Sequence, residues 1–379
     1  MTPLLWLLTH GRARWTTSQL GVAIAASVVG GGLLQLGGDV VGSAMLVLLL
    51  VLGVLRLGTP RTTSSSPSAA MWAMAVVVDL VGVGGLWASW MPDVQGSWLP
   101  PSWPHLLGTD AVGHDVLQQL MRAGRVSLVV AVGAGFFSAC LGCAAGVVAG
   151  LRGGAVDAVV MRLSDGVMSL PLLPLLLVLA AVPPEAWQSL STWSWPLLVL
   201  SAGLLATSLK RSAAGVLVGV GLLLTGVALA ALSTTGSSAD VVRLVVLLSA
   251  FAWVRTARLV RTQVQQLVHS EWWQASRALG ADDRQRLRTL VWPHVQDVVW
   301  ASFALDVAGA FVAEAALSYL GLGLSPPTTS WGRMLLGALQ TLQQHPHVVV
   351  LPVLCVLGVS WLLHRLAEDI RTSLDPGSI

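Results

Sequence analysis

Ten apolar runs separated by short polar stretches constrain the fold of this chain more than any other feature. Hydrophobic residues make up 55% of the 379 residues and charged residues only 10%, a balance that excludes an ordinary soluble domain. A bilayer core about 30 Å thick requires about 20 apolar residues in helical form. We therefore predict an all-α fold, a polytopic transmembrane helical bundle of about ten spans. The predicted spans are 20–36, 40–55, 70–91, 127–150, 168–182, 193–209, 213–232, 241–254, 298–322 and 347–363.

The basic residues orient these spans. With the amino terminus in the cytoplasm and ten crossings, seventeen of the 21 lysines and arginines fall on the cytoplasmic side, in agreement with the positive-inside rule. Both termini are then predicted to be cytoplasmic. Lys210 and Arg211 divide the sixth run from the seventh, and a cytoplasmic turn there requires a two-span hairpin. The sixth run is short for a span, so a re-entrant segment followed by one span is the alternative.

The longest charged stretch of the chain is 271–294, where arginines alternate with acidic residues. No apolar span can include it. Gly280 can leave the helical conformation without a Cβ penalty, Asp282 or Asp283 can cap a second helix, and Pro293 can end it. We therefore predict two short helices around Gly280. On composition alone, the stretch is a solvated hairpin between spans.

The spacing within this stretch supports a second interpretation. Gln274-Ala275-Ser276 is followed by Leu279-Gly280-Ala281 and, thirteen residues after the glycine, by Pro293. The pattern resembles the EAA loop of bacterial ABC importer permeases, a coupling helix that docks into a groove of the cytoplasmic ATPase. Gln274 stands where that family has glutamate, so an ion pair across the docking surface is expected to be weaker here. The resemblance assigns ATPase coupling, within residues 271–293, to Glu271, Gln274, Ala275, Ser276, Leu279, Gly280, Ala281 and Pro293.

A second motif precedes the fourth predicted span. By local signals alone it is a turn and a helix start, with Thr109 or Asp110 as the cap. It also resembles the Gly-Thr-Asp-x-x-Gly-Arg-Asp signature of the second permease subunit of peptide- and nickel-type ABC importers, with His114 in place of arginine. The family-signature residues are Gly108, Thr109, Asp110, Gly113 and Asp115.

Two further elements follow in the order of the same family. Residues 152–165, which we predict to be a short polar loop, resemble its Gly-Gly-x-x-Asp…Met-Arg-x-x-Asp element. Residues 313–332 resemble its Ala-Glu-Ala-x-Leu-Ser-Phe-Leu-Gly-Leu-Gly…Pro-Pro…Ser-Trp-Gly run. The resemblance implies a type I ABC permease domain at 70–379, which contains an inserted two-span hairpin at 183–240 and the coupling loop at 269–294. An extra two-span hairpin and a linker precede it at 1–69.

Three acidic residues fall inside predicted spans: Asp79, Asp306 and Glu314. A carboxylate facing lipid is costly, so each must face another helix or water. Asp306 and Glu314 are eight residues apart, about two helical turns, and share a face. All three are candidates for lining a polar translocation path, and hydrogen bonding to neighbouring helices is the structural alternative.

No catalytic or metal site is predicted. Cys140 and Cys143 lie in an apolar run without a third ligand, and the histidines on either side of Pro346 lack further ligands. The only lysine, Lys210, is not part of a Gly-x-x-x-x-Gly-Lys loop, so the chain itself is not expected to bind ATP. We predict a non-enzymatic subunit with no cofactor of its own, no metal and no nucleic-acid partner; ATP and Mg²⁺ would bind partner subunits.

The resemblance implies one permease subunit of an ABC importer in the bacterial inner membrane, carrying short peptides, or nickel and related small solutes. Its expected partners are a second permease subunit, two cytoplasmic ABC ATPases, an extracytoplasmic solute-binding protein and the lipid bilayer.

Two other interpretations belong to different classes. The departures at Gln274 and His114, together with the two added segments, leave open a structural or regulatory membrane subunit derived from such a permease. An ion-coupled secondary transporter that uses the three intramembrane carboxylates would predict inverted repeats, which the sequence does not show.

Overall fold

The structure is a computed structural model that describes residues 97–103, 105–181, 237–338 and 341–373. Asp79, the hairpin and linker predicted at 1–69 and nearly all of the insert predicted at 183–240 lie outside the described residues. The chain divides into two compact units. The first comprises Met1–Val132 and Ala308–Ser373, and the second comprises Gly133–Val307 and Leu374–Ile379.

Helices dominate the described residues, as the all-α prediction requires. Within them the only β-type contact is a single bridge between Thr109 and Asp115. The helices are α1 Val116–Arg152, α2 Gly154–Ser169, α3 Leu172–Ala180, α4 Ser237–Val268, α5 Glu271–Ala278, α6 Asp283–Arg286, α7 Trp292–Tyr319, α8 Trp331–Ala338 and α9 Pro346–Ser373.

Three stretches of described helix are long and apolar enough to cross a membrane. They are Val116–Arg152, Asp283–Tyr319 and Pro346–Thr372, and they contain most or all of the spans predicted at 127–150, 298–322 and 347–363. A multi-pass membrane protein is therefore confirmed. The full count of ten spans stays a prediction, because half of those runs lie outside the described residues.

The short polar loop predicted at 152–165 is wrong, because α2 occupies most of it. Gly153 and Gly154 have φ angles of +59° and +54°, so they end α1 in a sharp turn that side-chain-bearing residues rarely adopt. The sequence that follows mixes good helix formers with valine, aspartate and serine, so propensity alone does not account for this helix. α2 ends at Ser169, and the next residue, Leu170, has the extended backbone (φ −84°, ψ 137°) that a following proline favours.

Close helix packing organises the second unit, as the Gly/Ala-rich composition of α1 predicts. A Cβ atom at Gly150 would lie 2.7 Å from the Val264 Cβ atom of α4, and Gly146 has equally little space beside Ala257. Small residues allow two helix backbones to approach in this way. The adjoining core cluster is formed by Val147, Val260, Val264, Leu267, Val291 and Val295.

In the first unit, the core is organised around Trp331. The side chain is 2% exposed, its indole Nε1 donates to the Leu120 carbonyl oxygen at 2.7 Å, and its ring meets Phe311 edge-on with centroids 5.9 Å apart. Gly124 of α1 faces the same ring without room for a Cβ atom. α8, which begins at Trp331, also packs against α9.

Candidate functional site

The charged stretch folds into one short helix, α5, and the start of a second helix, α6, on either side of Gly280; we call residues 269–294 the coupling hairpin. Ser270 caps α5 by accepting from the Trp273 N–H, and Asp282 caps α6 by accepting from the Asp283 N–H at 2.8 Å. Between them Gly280 has a φ angle of +75°, a conformation that costs a glycine little. The shape predicted from Gly280 and the aspartate cap is confirmed.

The predicted role of Pro293 as the end of the second helix is wrong. The helix continues from α6 through a π-helical turn, Leu287–Val291, directly into α7. In this turn the Trp292 N–H donates to the Leu287 carbonyl, five residues back. Proline lacks an N–H group and its ring collides with the carbonyl four residues earlier in an α-helix. The wider π-helical turn before Pro293 relieves that collision. The hydrogen bonds shift locally to partners five residues back, and the helix continues.

The hairpin exposes apolar side chains on a loop that is otherwise polar. Leu279 is 88% exposed and Trp272 is 77% exposed. The predicted coupling residues Glu271, Gln274, Ala275, Gly280 and Pro293 are also exposed, whereas Ser276 and Ala281 are half-buried. The Ser276 hydroxyl donates to the Trp273 carbonyl oxygen at 2.7 Å, which occupies it within the helix.

The opposite side of the hairpin is anchored to the second unit. The Trp273 side chain packs against the valine and leucine cluster described above. The Arg286 guanidinium lies 4.9 Å from the centroid of the Trp273 ring and also pairs with Asp283. Neighbouring tryptophans therefore face opposite ways, with Trp273 fixing the hairpin and Trp272 presented outward.

Three arginines of α4, just before the hairpin, each face a carboxylate. Their spacing of three residues puts them near one another on the helix surface. The pairs are Arg261 with Asp157, Arg258 with Asp165, and Arg255 with Asp306. We refer to these six residues as the arginine ladder.

The Arg261–Asp157 pair, which we call the inner pair of the two that join α2 to α4, has the best geometry. Arg261 donates from Nε to one oxygen of Asp157 and from Nη2 to the other, and Gln265 adds a third bond at 3.3 Å. Hydrogen bonding from Arg261 lowers the pKa of Asp157, and the same bond raises the pKa of Arg261.

Sequence reasoning missed the arginine ladder. Asp157 and Asp165 were visible in the Gly-Gly-x-x-Asp…Met-Arg-x-x-Asp element, but the element was interpreted as a loop. The periodic arginines at 255, 258 and 261 were the available signal. Their partners are 51 to 104 residues away in sequence, so local patterns alone could not have named them.

The carboxylate of Asp306 is enclosed within the second unit. The residue is 2% exposed. Its Oδ2 atom accepts from the Ser138 hydroxyl at 2.6 Å and from the Thr256 hydroxyl at 3.3 Å, and its Oδ1 atom lies 3.8 Å from Arg255. α1, α4 and α7 therefore meet at this carboxylate.

Glu314 is enclosed within the first unit. Its side chain is fully buried, and its Oε1 atom accepts from the Ser318 hydroxyl at 2.7 Å. The hydroxyls of Ser127 and Ser330 lie beside the same carboxyl group. The two carboxylates predicted to share a face thus belong to different compact units, and Asp79 lies outside the described residues. Whether any of them lines a path stays a prediction.

The cap predicted for the fourth span is wrong, because Asp115 caps α1. Its Oδ1 atom accepts from the Gln118 N–H at 2.9 Å, and its Oδ2 atom is bonded to the His105 Nδ1 atom at 2.7 Å. Asp110 instead closes the preceding turn by accepting from the Val112 and His114 N–H groups, both at 2.9 Å. The local signals were misleading because Thr109 and Asp110 belong to the preceding turn, and the helix begins only at Val116.

The remaining signature residues hold the same turn. The Thr109 hydroxyl accepts from the Leu99 N–H at 2.8 Å. Gly108 and Gly113 have φ angles of +76° and +96°, and a Cβ atom at Gly108 would collide with the Leu99 carbonyl oxygen. We call residues 105–115 the signature turn; His105, Thr109 and Asp115 are buried in it, whereas Val112 is exposed.

Within the part of the chain that the structure describes, no three His, Cys, Asp or Glu residues are placed to hold a metal ion. Cys140 and Cys143 are free thiols. His345 stacks on Trp98, with ring centroids 4.1 Å apart.

Residues 142–371, more than half of the chain, match the family described as the inner membrane component of binding-protein-dependent transport systems. The chain belongs to this family. It is therefore a membrane permease, as the resemblance implied, and membership assigns it a transport role that is not enzymatic. The matched residues include the coupling hairpin, the arginine ladder with Asp306, and Glu314. The match begins after the signature turn.

Individual relatives agree with the family. A Brucella suis biovar 1 protein named as a peptide permease is 30% identical over 320 residues, which cover 81% of this chain and 87% of the relative. The dipeptide transport system permease protein DppC of Bacillus subtilis is 29% identical over 279 residues, covering 73% and 70%. The oligopeptide transport system permease protein OppC of Bacillus subtilis is 26% identical over 277 residues, or 73% of each chain.

Proposed function

We propose that this permease forms part of the translocation path of an ATP-driven importer of short peptides, and that residues 271–293 couple it to cytoplasmic ATPases. The names of the relatives refer to peptides, dipeptides and oligopeptides, which favours peptides over nickel. The observation that carries the coupling role is the two-sided hairpin: Trp273 is packed in the core while Trp272 and Leu279 are exposed.

Physical chemistry supports docking at this surface. Burying one large apolar side chain contributes about 1.5–3 kcal/mol, so Trp272 and Leu279 together offer a useful part of a protein–protein binding energy. The caps at Ser270 and Asp282 already order the hairpin. Docking would therefore involve little loss of conformational entropy, which favours affinity.

The complete assembly in this proposal contains a second permease subunit, two ABC ATPases and an extracytoplasmic solute-binding protein. ATP and Mg²⁺ would bind the ATPases, and this chain would bind no cofactor. The topology has ten spans, with additional two-span hairpins at 1–69 and 183–240 and both termini in the cytoplasm.

The topology is tested by cysteine labelling in intact and opened cells. A cysteine at Ser212 is expected to react only from the cytoplasmic side, and one at Ser237 only from outside. Labelling of both from the same face would contradict the inserted two-span hairpin.

Asp306 and Glu314 are proposed to line the path in a conformation other than the enclosed one described above. A cysteine in place of either residue should then react with a water-soluble thiol reagent only during ATP turnover. Absence of labelling in every state would leave them the structural role of joining helices, as their hydroxyl partners already suggest.

The coupling role is tested by co-purification of the ATPase with tagged permease. Trp272→Ala combined with Leu279→Ser should weaken association at least tenfold while the amount of permease in the membrane stays unchanged. Trp103→Ala is the matched control, because Trp103 is 84% exposed but lies outside the hairpin. Unchanged association in the double variant would mean that the hairpin is only a solvated connector.

Substrate-stimulated ATP hydrolysis by the reconstituted complex separates the importer from the structural or regulatory alternative. We expect a peptide-loaded binding protein to stimulate hydrolysis. If the ATPase co-purifies but no peptide stimulates it, the alternative is correct.

A further inference from the structure

The arginine ladder contains two pairs on the same two helices, and they differ in quality. Arg261 and Asp157 make two parallel hydrogen bonds, and their side chains are 28% and 15% exposed. Arg258 and Asp165 make a single bond, and their side chains are 38% and 67% exposed. Exposed single-bond pairs contribute little in water, whereas a two-bond arginine–carboxylate pair fixes both distance and orientation.

The Arg261–Asp157 pair lies close to the hairpin. Arg261 is seven residues before the end of α4 at Val268, and the hairpin (269–294) begins at the next residue. Asp157 lies in the first turn of α2, directly after the Gly153–Gly154 break. When the hairpin moves the end of α4, that movement must either break this pair or carry the start of α2 with it.

Packing around the inner pair prevents α4 from absorbing such a displacement alone. Gly146 and Gly150 of α1 leave no space beside Arg261 and Val264. Val264 is fully buried and belongs to the cluster that also contains Val291 and Val295, on the other side of the hairpin. The end of α4, the helical segment around Val291 and Val295, and the end of α1 are thus packed together.

We propose that Asp157 and Arg261 are positioning residues that transmit movement of the coupling hairpin to α2, and through its Leu170–Pro171 break to α3. α3 also packs against α4, so the transmitted movement changes the contacts between these two helices. This inference rests on the proposed coupling role of the hairpin. It concerns how movement is passed on and not how the ATPase is bound.

The test uses the complete reconstituted complex with peptide-loaded binding protein, and measures transport and ATP hydrolysis in parallel. Asp157→Asn and Arg261→Gln should each lower transport at least tenfold, while ATPase association and basal hydrolysis stay within twofold of the unmodified complex. The charge swap Asp157→Arg with Arg261→Asp should recover transport to within about threefold. Asp165→Asn and Arg258→Gln, on the same helices, are the matched controls and should change transport less than twofold.

The ratio of transport to hydrolysis identifies a positioning role, since a purely structural defect lowers both with the amount of protein. The inference is overturned if the single variants transport normally, or if the charge swap is no better than either single variant. Loss of the Asp157→Asn protein from the membrane would overturn it as well. So would an equal loss of transport in Asp165→Asn and Arg258→Gln. If the unmodified chain does not co-purify with an ATPase, the proposed function itself fails; if it does and Asp157→Asn transports normally, only this inference fails.

Discussion

The coupling hairpin and the signature turn are built from the same local parts and use them in opposite ways. Each contains a side-chain cap and a glycine with positive φ. In the signature turn, the two aspartates bind backbone N–H groups and a buried histidine. In the hairpin, Trp272 and Leu279 point away from the molecule.

We interpret this difference as that between a structural polar site and the docking surface proposed above. A polar group that has all its partners within the chain is costly to remove and has nothing left to offer a ligand. An exposed leucine and tryptophan on an ordered loop gain most of their stabilisation only when another surface covers them. We therefore expect substitutions in the signature turn to lower stability, and substitutions in the hairpin to lower transport at normal stability.

The largest expected effect is the loss of the α1 cap. Asp115→Ala removes a helix cap and leaves the buried His105 without its partner, which together should cost about 2–4 kcal/mol. Thermal unfolding in detergent measures the loss. Asp282→Ala, which removes the exposed cap of the hairpin, is the matched variant and should cost about 1 kcal/mol or less. Equal losses from the two caps would break the comparison.

Valine at the two positive-φ glycines should separate stability from function. Gly280→Val requires a branched residue at φ +75°, a cost of about 1–2 kcal/mol. We expect near-normal protein amounts and strongly reduced transport. Gly108→Val adds a collision with the Leu99 carbonyl oxygen and should reduce the amount of protein in the membrane.

A companion variant identifies the reason for the glycine in the hairpin. Among the residues that the structure describes, and apart from its two neighbours in sequence, none has an atom within 4 Å of a Cβ atom built at Gly280. The remaining reasons for a glycine there are its φ angle and the approach of a partner. Gly280→Asn should retain most transport if φ is the reason, because asparagine tolerates this conformation. Loss of transport in both variants would point to close approach by the ATPase.

A smaller effect is expected from restoring the carboxylate at position 274. Gln274 is exposed, so Gln274→Glu should leave stability unchanged and tighten ATPase association by up to about 1 kcal/mol if a basic side chain lies opposite. Titration of the permease with purified ATPase measures the affinity. Gln285→Glu in α6 is the control for added charge alone. Equal affinity for Gln274→Glu and the unmodified chain would show that the missing carboxylate is not part of the interface.

The smallest expected effect is on how stability depends on pH, through the Asp157–Arg261 pair next to the hairpin. Arg261 lowers the pKa of Asp157 in the folded chain, so this carboxylate contributes stability above its unfolded pKa, near 4. The contribution is lost as the pH falls through the lower, folded pKa. The difference in melting temperature between the unmodified chain and Asp157→Asn should be constant from pH 7 to about pH 5 and shrink below pH 4. A difference that grows on acidification would contradict the assigned pairing.

Local signals predicted the parts of the site that depend on neighbouring residues. Gly280 and Asp282 gave the shape of the hairpin because a positive-φ turn and an N-cap need only a few adjacent residues. Pro293 was misjudged because the π-helical turn that accommodates it is a property of the surrounding helix. The cap at Asp115 was missed for a different reason: Thr109 and Asp110, which belong to the preceding turn, carry the same local signal.

Fold features set by distant contacts were out of reach. The polar residues at 152–165 resembled a loop until Asp157 and Asp165 were placed opposite the arginines of α4. The apolar runs did predict where the described spanning helices lie, since burial in lipid depends on composition over about 20 residues. They underestimated the length of α1, because its first turns carry polar residues that a hydropathy pattern excludes.

That length has a mechanical consequence. A hydrocarbon core about 30 Å thick, crossed at the usual tilt of about 20°, takes up about 21 residues of helix. α1 has 37 residues, so about sixteen continue beyond the hydrocarbon as unbroken helix. The signature turn is clamped to the first of these turns by Asp115. Leu107 of this turn and Val116 at the start of α1 also pack against Val348 and Val349 of α9. A change in the tilt of α1 must therefore move α9 with it or break this packing.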